Sequence, residues 1–364
     1  MRLLALLLAL LWCEYSVADP LTPFNGQSQE VTVQDVLPHY EANRDNGSYS
    51  EWWSFVFRLD GGYWAYVQFL ITNVGVDKGK AAVKAEVKFP DGERFSEKTE
   101  YGPGQWTSAR DRFEVKFGDN TLSGPLDGVR IRVKNPSFEA EYQLKNLVPP
   151  WKPGNGVAQY GASSSRYYQF QAFAPVAAVE GTVKVADSDE VHKVKGLVYG
   201  EHQLQSIGMH EQAKRWARFR ALGEKTTFLM GSIQTPDVYG NKPVRFAVLF
   251  VDGKKVFEST SFEVKEADYY EDQKKAGYAA PRLLELTGDS EAGKFRAVIK
   301  ATKLTDREDF LESSGAAVRF VVSKFAKPIM YYFDGQFAVE LAQPDGKTVR
   351  SGGKGTYYFT VVNP

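Results

Sequence analysis

The chain has 364 residues, 43% hydrophobic and 25% charged, so it is long enough for two domains and has the composition of a globular protein. Lysine plus arginine number 45, as do aspartate plus glutamate, so the chain lacks the basic excess typical of nucleic-acid-binding proteins. These values argue against extensive disorder and against a nucleic-acid partner.

The first 18 residues are predicted to be a signal peptide. One positive charge precedes an apolar run at residues 3–12 that is too short to span a bilayer, and the small residues 16–18 suit cleavage. A periplasmic or secreted protein without a transmembrane segment is expected. Cys13 lies inside this leader and is the only cysteine, so no disulfide is expected. Its acylation, the lipoprotein alternative, would require a small residue where Trp12 stands.

The segment Ser50–Asn73 is predicted to form a β-hairpin. Its halves, Trp52–Leu59 and Tyr63–Asn73, flank an Asp-Gly-Gly turn whose glycines tolerate positive φ angles. Both faces of the second half are apolar or aromatic, whereas an ordinary antiparallel strand shows water one polar face. The hairpin is therefore expected either in a sandwich interior or in the wall of a barrel around an apolar cavity.

Alternation with a period of two residues recurs through the rest of the chain, as in residues 83–89, 129–134 and 138–145. Short turns separate these segments, and the second half repeats the pattern from residue 244 to residue 362. Many short, evenly spaced strands predict an all-β protein built from sandwiches or barrels.

Two short helices are predicted, at Glu266–Ala276 and at Leu304–Leu311. The segment 147–165, rich in proline, glycine and serine, is predicted to be an irregular connection of the kind that forms lids or crossing straps. The domain boundary is placed where the strand pattern breaks after residue 203. This gives a signal peptide at 1–18, one domain at 19–203 and a second at 204–364.

Four landmarks in this order resemble one known family. They are the segments Glu51–Phe55 (EWWSF), Tyr167–Phe170 (YYQF), Gly196–Gln203 (GLVYGEHQ) and Arg215–Phe219 (RWARF). Together they are similar to the tandem lipocalin-like, or calycin, group that includes AttH-like proteins, bacterial carotenoid hydratases and fungal survival-factor proteins. The sequence departs from that pattern where Glu201 replaces the aspartate before the histidine, and where Leu204-Gln205 replaces Trp-Gly.

The resemblance implies two lipocalin-like antiparallel β-barrels in tandem, with apolar ligands bound in a cavity or at the interface. Relatives include lipid carriers and enzymes acting on isoprenoid chains, and a fold alone does not decide between them. The expected partner is a hydrophobic small molecule or lipid, and the oligomeric state stays open. Ligand-lining candidates are Trp52, Trp53, Trp64, Tyr66, Tyr167, Tyr168 and Trp216.

Tyr199, Glu201 and His202 form the candidate catalytic group, with Trp216 expected nearby. A carboxyl group desolvated among aromatic rings can protonate a carbon–carbon double bond, as an isoprenoid hydratase requires. The alternative, weighted higher, is that Glu201 and His202 form a buried structural pair that bonds to Arg215 or Arg218.

Glu51 raises the same choice, because it could anchor a ligand head group or pair with an arginine while the adjacent tryptophans fill a barrel. No metal site is predicted, since none of the mature chain's histidines has helical ligand spacing and the mature chain has no cysteine. No cofactor motif is present. The leading hypothesis is an exported carrier of a lipid, fatty acyl or isoprenoid ligand; the alternative is a hydratase- or cyclase-type lyase that uses Glu201 as its acid.

Overall fold

The computed structural model describes residues 18–74, 78–312, 319, 323 and 325–362. The predicted signal peptide, apart from Ala18, lies outside the described residues, and so does Cys13. None of the helices in the described part is long and apolar enough to cross a membrane.

The protein is built from two antiparallel sheets, which contain 13 and nine strands within the described residues. The first sheet contains β1 (Leu21–Thr22), β2 (Ser50–Leu59), β3 (Trp64–Thr72), β4 (Lys80–Lys88), β5 (Arg94–Tyr101), β6 (Trp106–Ser108), β7 (Glu114–Phe117), β8 (Asn120–Ser123), β9 (Arg130–Lys134), β10 (Phe138–Asn146), β11 (Val157–Tyr160), β12 (Tyr167–Val185) and β13 (His192–Gln205). The second contains β14 (Arg215–Ala221), β15 (Thr226–Gln234), β16 (Pro243–Val251), β17 (Lys254–Ser259), β18 (Phe262–Glu271), β19 (Ala279–Ser290), β20 (Gly293–Asp309), β21 (Ile329–Ala342) and β22 (Thr348–Val361). The described α-helices are α1 (Val33–Val36), α2 (Tyr40–Asn43) and α3 (Met209–Gln212).

The strand order of the first sheet is β5-β4-β3-β2-β13-β12-β10-β9-β8-β7-β6, with β11 joining β1 to β12. The second sheet runs β17-β16-β15-β14-β22-β21-β20-β19-β18. In both sheets the last strand returns beside the first long one, since β13 pairs with β2 and β22 pairs with β14. The fold is therefore all-β, as the alternation predicted, with two lipocalin-like barrels, as the family resemblance implied.

Three hydrophobic cores hold the molecule together. The first fills the first barrel with rings such as Trp53 and Phe55, and the second fills the second barrel with rings such as Phe219 and Phe337. The third lies between the barrels, where Phe170 of β12 meets Phe246 of β16. Each barrel wall that faces its neighbour is therefore buried on both sides, which explains why its strands lack a polar face.

The predicted hairpin is confirmed as β2 and β3, which pair from Ser50–Thr72 to Arg58–Trp64. Gly61 and Gly62 in the connecting turn have φ angles of 73° and 92°, a conformation that side chains disfavour. The second half of the hairpin presents Ala65, Val67, Phe69 and Ile71 to the first core.

Both predicted helices are wrong. Residues 266–271 belong to β18, where Asp268 has a φ of 54° and makes no ladder pair, so the local alternation is broken. Residues 304–309 end β20, which contains register shifts between Ala301 and Lys303 and between Leu304 and Asp306. Bulges of this kind insert a residue and conceal the period of two on which a strand is recognised.

The segment 147–165, hereafter the strap, crosses into the core between the barrels. It contains β11, and Trp151 forms an isolated bridge with Ala172. The Trp151 ring is buried, and its Nε1 donates a hydrogen bond to Glu258 of the second sheet at 2.6 Å. The strap therefore ties the two barrels to each other.

Candidate functional site

Strand β13 carries polar residues on both of its faces. Because successive side chains of a strand point to opposite sides, His202 faces the interior of the first barrel while Tyr199, Glu201 and Gln203 face the second barrel. All four are buried. The predicted catalytic group is thus divided: Tyr199 and Glu201 contact each other, and His202 belongs to a separate site on the opposite face of the strand.

The inner cluster consists of His39, Glu51 and His202. The Nε2 atom of His202 lies 2.8 Å from Oε1 of Glu51, and its Nδ1 atom lies 2.9 Å from the carbonyl oxygen of Asp35. The indole of Trp53 stacks on the His202 ring at 4.6 Å with an interplanar angle of 3°. The Nε2 atom of Gln171 lies 2.6 Å from the same Nδ1 atom, so ring packing and three polar contacts fix the orientation of His202.

Glu51 is completely buried, and several hydrogen-bond donors surround its carboxylate. It accepts hydrogen bonds from the backbone N–H of His39 at 3.0 Å and from the hydroxyl of Tyr49, and the Nδ1 atom of His39 lies 3.3 Å away. Burial raises the pKa of Glu51, but the hydrogen bonds and charges of His202 and His39 outweigh it and lower the pKa to about 2. Glu51 is therefore an ionised carboxylate at neutral pH.

His39 is the accessible member of the inner cluster, with 31% of its side chain exposed. Burial lowers the pKa of His39, but its hydrogen bond to Glu51 and the negative charge there raise it above its usual value. His39 lies between α1 and α2, in the segment 31–49 that covers one end of the first barrel; this segment is hereafter the plug. The inner cluster therefore joins the plug to strands β2 and β13.

The inner cluster is also a group of ligand-type side chains that could hold a metal ion. One atom from each of His39, Glu51 and His202 lies within 4.8 Å of the others, and two imidazoles with a carboxylate form a known zinc ligand set. However, the three side chains already satisfy one another, and Tyr49 and the His39 backbone take up further acceptor positions of Glu51. The arrangement fits a hydrogen-bonded structural cluster better than a metal-binding site.

The outer cluster lies between the barrels, around Glu201. Its carboxylate pairs with Nη1 of Arg218 at 2.9 Å and Nη2 of Arg220 at 3.4 Å. It also accepts hydrogen bonds from the hydroxyl of Tyr199 at 2.6 Å and from Nε2 of Gln203 at 2.5 Å. Two guanidinium groups around one carboxylate suit a structural ion pair and not a proton donor, which favours the alternative that the sequence left open.

The two arginines of the outer cluster lie over aromatic rings. Arg218 lies 4.7 Å from the ring centre of Phe170, and Arg220 lies 4.6 Å from that of Tyr199 and 4.9 Å from that of Tyr358. These distances are within the range of cation–π attraction. The cluster thus contains two cations for one anion, and the buried Nε of Arg220 has no hydrogen-bond partner within the described residues.

The predicted ligand-lining residues lie in three different environments. Trp53 is in the first barrel, Tyr168 is in the core between the barrels, and Trp216 packs against that core. Half-buried residues complete the set: Trp52, Trp64 and Tyr66 on the outer face of β2 and β3, and Tyr167, whose hydroxyl accepts a hydrogen bond from Asn43 of the plug.

Rings inside the first barrel contact one another. The ring centres of Phe55 and Phe173 are 5.5 Å apart, and those of Phe57 and Tyr142 are 4.4 Å apart. These are ordinary packing distances for aromatic pairs. The first barrel interior is therefore a packed core at these positions.

Sequence reasoning missed His39 and Arg220. His39 was overlooked because its partner Glu51 is 12 residues away with the plug helix between them, a separation that no regular spacing reveals. Arg220 could have been found from the sequence. Arg218 and Arg220 are two positions apart on a strand, so their side chains must share a face.

A family model and several known proteins match this chain. The model of the Svf1 family matches residues 46–362, which is most of the sequence. The chain belongs to the Svf1 family. This confirms the resemblance inferred from the four sequence landmarks.

Two curated relatives of this Svf1-family protein come from yeasts. The ceramide-binding protein SVF1 of Yarrowia lipolytica is 23% identical over 359 residues, covering 87% of each chain. That of Candida albicans is 23% identical over 275 residues, covering 71% of this chain and 72% of the relative.

Solved structures share the fold. A putative AttH from Nitrosomonas europaea has a TM-score of 0.60 at 16% identity, covering 94% of this chain and all of that one. CghA with Sch210972 has a TM-score of 0.61 at 13% identity, covering 96% of both chains. Kievitone hydratase from Nectria haematococca has a TM-score of 0.52 at 14% identity, covering 94% and 98%. At these identities the likeness concerns the fold alone.

Proposed function

We propose that this Svf1-family protein binds an amphipathic lipid of the ceramide type. The observation that carries the proposal is its match to curated ceramide-binding relatives, one of them along 87% of both chains. Ceramide combines two long hydrocarbon chains with an uncharged head of amide and hydroxyl groups. Transfer of such chains out of water is favourable by about 0.8 kcal/mol per methylene, so binding requires no reactive group.

The face between the barrels supports this ligand class. Its third core supplies apolar and aromatic surface, while the buried Arg220 Nε, Thr360 Oγ1 and Tyr160 hydroxyl have no hydrogen-bond partner within the described residues. Buried polar groups are normally paired, so unpaired ones mark places where a ligand or water completes the structure. We place the head group of the lipid beside Arg220 and its chains against the rings of the third core.

Binding of a fluorescent ceramide to the purified full-length protein tests the ligand class. Saturable binding at one site per chain is expected, with displacement by unlabelled ceramide. A fluorescent triacylglycerol, which has long acyl chains but lacks the amide and hydroxyl head, is the control and is expected to bind more weakly. Absence of saturable ceramide binding, or equal binding of both lipids, would contradict the proposal.

Arg220→Gln tests the position of the head group. The substitution removes a donor beside the proposed site, and loss of one hydrogen bond to a charged group corresponds to roughly tenfold weaker binding. Arg350→Gln, at an exposed arginine of β22, is the matched control and is expected to leave affinity unchanged. Equal affinity of the two variants, with both folded by circular dichroism, would place the head group elsewhere.

We also propose that the protein is exported after cleavage of residues 1–18. This proposal is supported by the charged, apolar and small-residue pattern of residues 1–18. Mass spectrometry of the protein isolated from its source is expected to find a mature chain that begins at Asp19. An intact N-terminus on the isolated protein would refute the proposal of cleavage.

A further inference from the structure

A third polar site lies at the mouth of the second barrel, away from β13. A recess of about 250 Å³ is present there, bounded by strands β14, β15, β16, β18 and β22. Its polar lining includes Arg215, Ser232, Arg245 and Glu266, and Phe359 is among its apolar lining. None of these side chains belongs to the inner or outer cluster, so this site is independent of the lipid proposed above.

Arg245 is the unusual residue of this recess. Only 13% of its side chain is exposed, yet its nearest carboxylate, Glu263, is 3.9 Å away and 82% exposed. One amino group donates to the carbonyl oxygen of Phe262, while the buried Nε has no partner within the described residues. A guanidinium carries five N–H donors, so Arg245 retains unused donor capacity and a poorly compensated charge.

The remaining charges of the recess do not compensate Arg245. Glu266 is committed to Arg215, with Oε2 and Nη1 2.9 Å apart, and it also accepts a hydrogen bond from the hydroxyl of Tyr269 at 3.1 Å. The lining thus contains two arginines and one glutamate, and the exposed Glu263, outside the lining, is the second carboxylate near Arg245. Burial lowers the pKa of Arg245, and the carboxylates of Glu263 and Glu266 offset only part of this effect.

A buried hydroxyl without a partner in the described part of the chain lies in the core of the second barrel, on the strand that carries Phe359 to the recess. Tyr357 lies on the inner face of β22, two residues before Phe359, and its hydroxyl has no hydrogen-bond partner within the described residues. Burial raises the pKa of Tyr357 well above its usual value. The negative charge of Glu266 also raises this pKa, whereas the positive charge of Arg215 lowers it.

We propose that the mouth of the second barrel binds a phosphate-type oxyanion, held by Arg245 and Arg215 above the ring of Phe359. Guanidinium groups present pairs of donors that match oxyanions, and ionised acceptors form stronger hydrogen bonds than neutral ones. An oxyanion would supply an acceptor for the buried Nε of Arg245 and a negative charge closer than that of the exposed Glu263. Free phosphate and the phosphate head of an amphiphile offer the same chemistry to these side chains.

Calorimetric titration of the full-length protein with inorganic phosphate, at constant ionic strength, tests the site. Saturable binding is expected for the wild type, and Arg245→Gln is expected to weaken it roughly tenfold because one charged donor group is lost. Arg296→Gln, on the exposed side of the same barrel, is the matched control and should bind as the wild type does. Absence of saturable phosphate binding to the wild type would overturn the proposal.

Glu266→Gln tests the site by an expected gain in phosphate affinity, which a misfolded protein would not show. The substitution removes the competing carboxylate and frees Arg215, so phosphate affinity is expected to rise several-fold. Unchanged or lower affinity in a variant with wild-type circular dichroism and melting temperature would overturn the proposal. Hexyl phosphate identifies the source of the oxyanion: tighter binding than inorganic phosphate supports an amphiphile head group, and equal binding supports the free ion.

Discussion

At the scale of single residues, the sequence permitted one of the two polar pairings on β13 to be predicted. The pairing of Glu201 with Arg218 was among the stated alternatives, because a buried carboxylate requires a cation and an arginine lay on the next strand. The pairing of His202 with Glu51 joins residues 151 positions apart, so only the register of β2 against β13 reveals it. Local patterns indicate which residues are buried, whereas partner choice across a sheet depends on register.

Glu201→Gln is expected to destabilise the protein strongly. The substitution leaves Arg218 and Arg220 buried without a counter-charge, and breaking a buried ion pair on one side costs about 3–5 kcal/mol. Urea unfolding of this variant measures the loss in the free energy of unfolding. Glu340→Gln, at an exposed carboxylate paired with an exposed arginine, is the control and is expected to change stability by less than about 1 kcal/mol. A similar small change for Glu201→Gln would show that the outer cluster is not a structural ion pair.

Glu51 is expected to make stability sensitive to acid. Its pKa in the folded protein, about 2, lies below the ordinary value of 4.5. Its contribution is therefore complete above pH 4.5 and is lost as pH falls through that value towards 2. His39 acts in the opposite direction: because its pKa is raised above 6.5, its contribution is complete below pH 6.5 and is lost as pH rises through the higher folded-state value.

Urea unfolding across a pH series tests both contributions. Wild-type stability is expected to decline below about pH 4.5, and Glu51→Gln should flatten this acid limb because the residue no longer titrates. His39→Gln should remove the decline above neutral pH while retaining the acid limb. An acid limb that persists unchanged in Glu51→Gln would assign it to other carboxylates.

At the scale of elements, alternation predicted the strands well where they are regular and failed where they are not. The hairpin of β2 and β3 was predicted in position and in the assignment of its two faces. The ends of β18 and β20 were mistaken for helices because a positive φ at Asp268 and two register shifts interrupt their alternation. The plug gave no signal, because its helices have four residues each and depend on contacts with the barrel for stability.

Asn73→Ala tests how the plug is held. The buried Asn73 side chain donates to the carbonyl oxygens of Asn43, Arg44 and Asn46, and it accepts a hydrogen bond from the backbone N–H of Gly79. Its removal leaves several buried groups unpaired, at a cost of about 1–3 kcal/mol.

Hydrogen exchange measured by mass spectrometry is the readout for this variant. Faster exchange is expected in peptides from residues 39–49, with the strands of the second barrel unchanged, because three of the four lost bonds fix the plug. Asn155→Ala, at an exposed asparagine, is the control. Uniformly faster exchange throughout the chain would mean that the plug does not open as a local unit.

At the scale of the whole molecule, the two barrels share a core as well as a chain. Phe170 and Phe246 stack at 4.5 Å across the boundary, and Trp151 of the strap lies 5.6 Å from Phe246. This third core was not predicted, although the absence of a polar face on the hairpin indicated burial on both sides of a strand. Sequence patterns indicate that a strand is buried on two sides, but they do not identify the residues that cover the second side.

Phe246→Ala is expected to uncouple the barrels. Loss of a buried phenylalanine costs about 3–5 kcal/mol, and here the loss falls on the contact that makes unfolding cooperative. The wild type is expected to unfold in one calorimetric transition and the variant in two. Phe337→Ala, within the second barrel alone, is the control and should lower the melting temperature without removing contacts across the boundary. Two transitions already present in the wild type would show that the barrels fold independently.

The opposite orientation of His202 and Glu201 on one strand has an evolutionary consequence. An inserted or deleted residue between positions 199 and 205 would turn the imidazole towards the arginines and the carboxylate towards the barrel interior, so each group would meet the wrong partner. Related chains are therefore expected to tolerate substitutions in this stretch, as the glutamate at position 201 illustrates, while keeping its length constant.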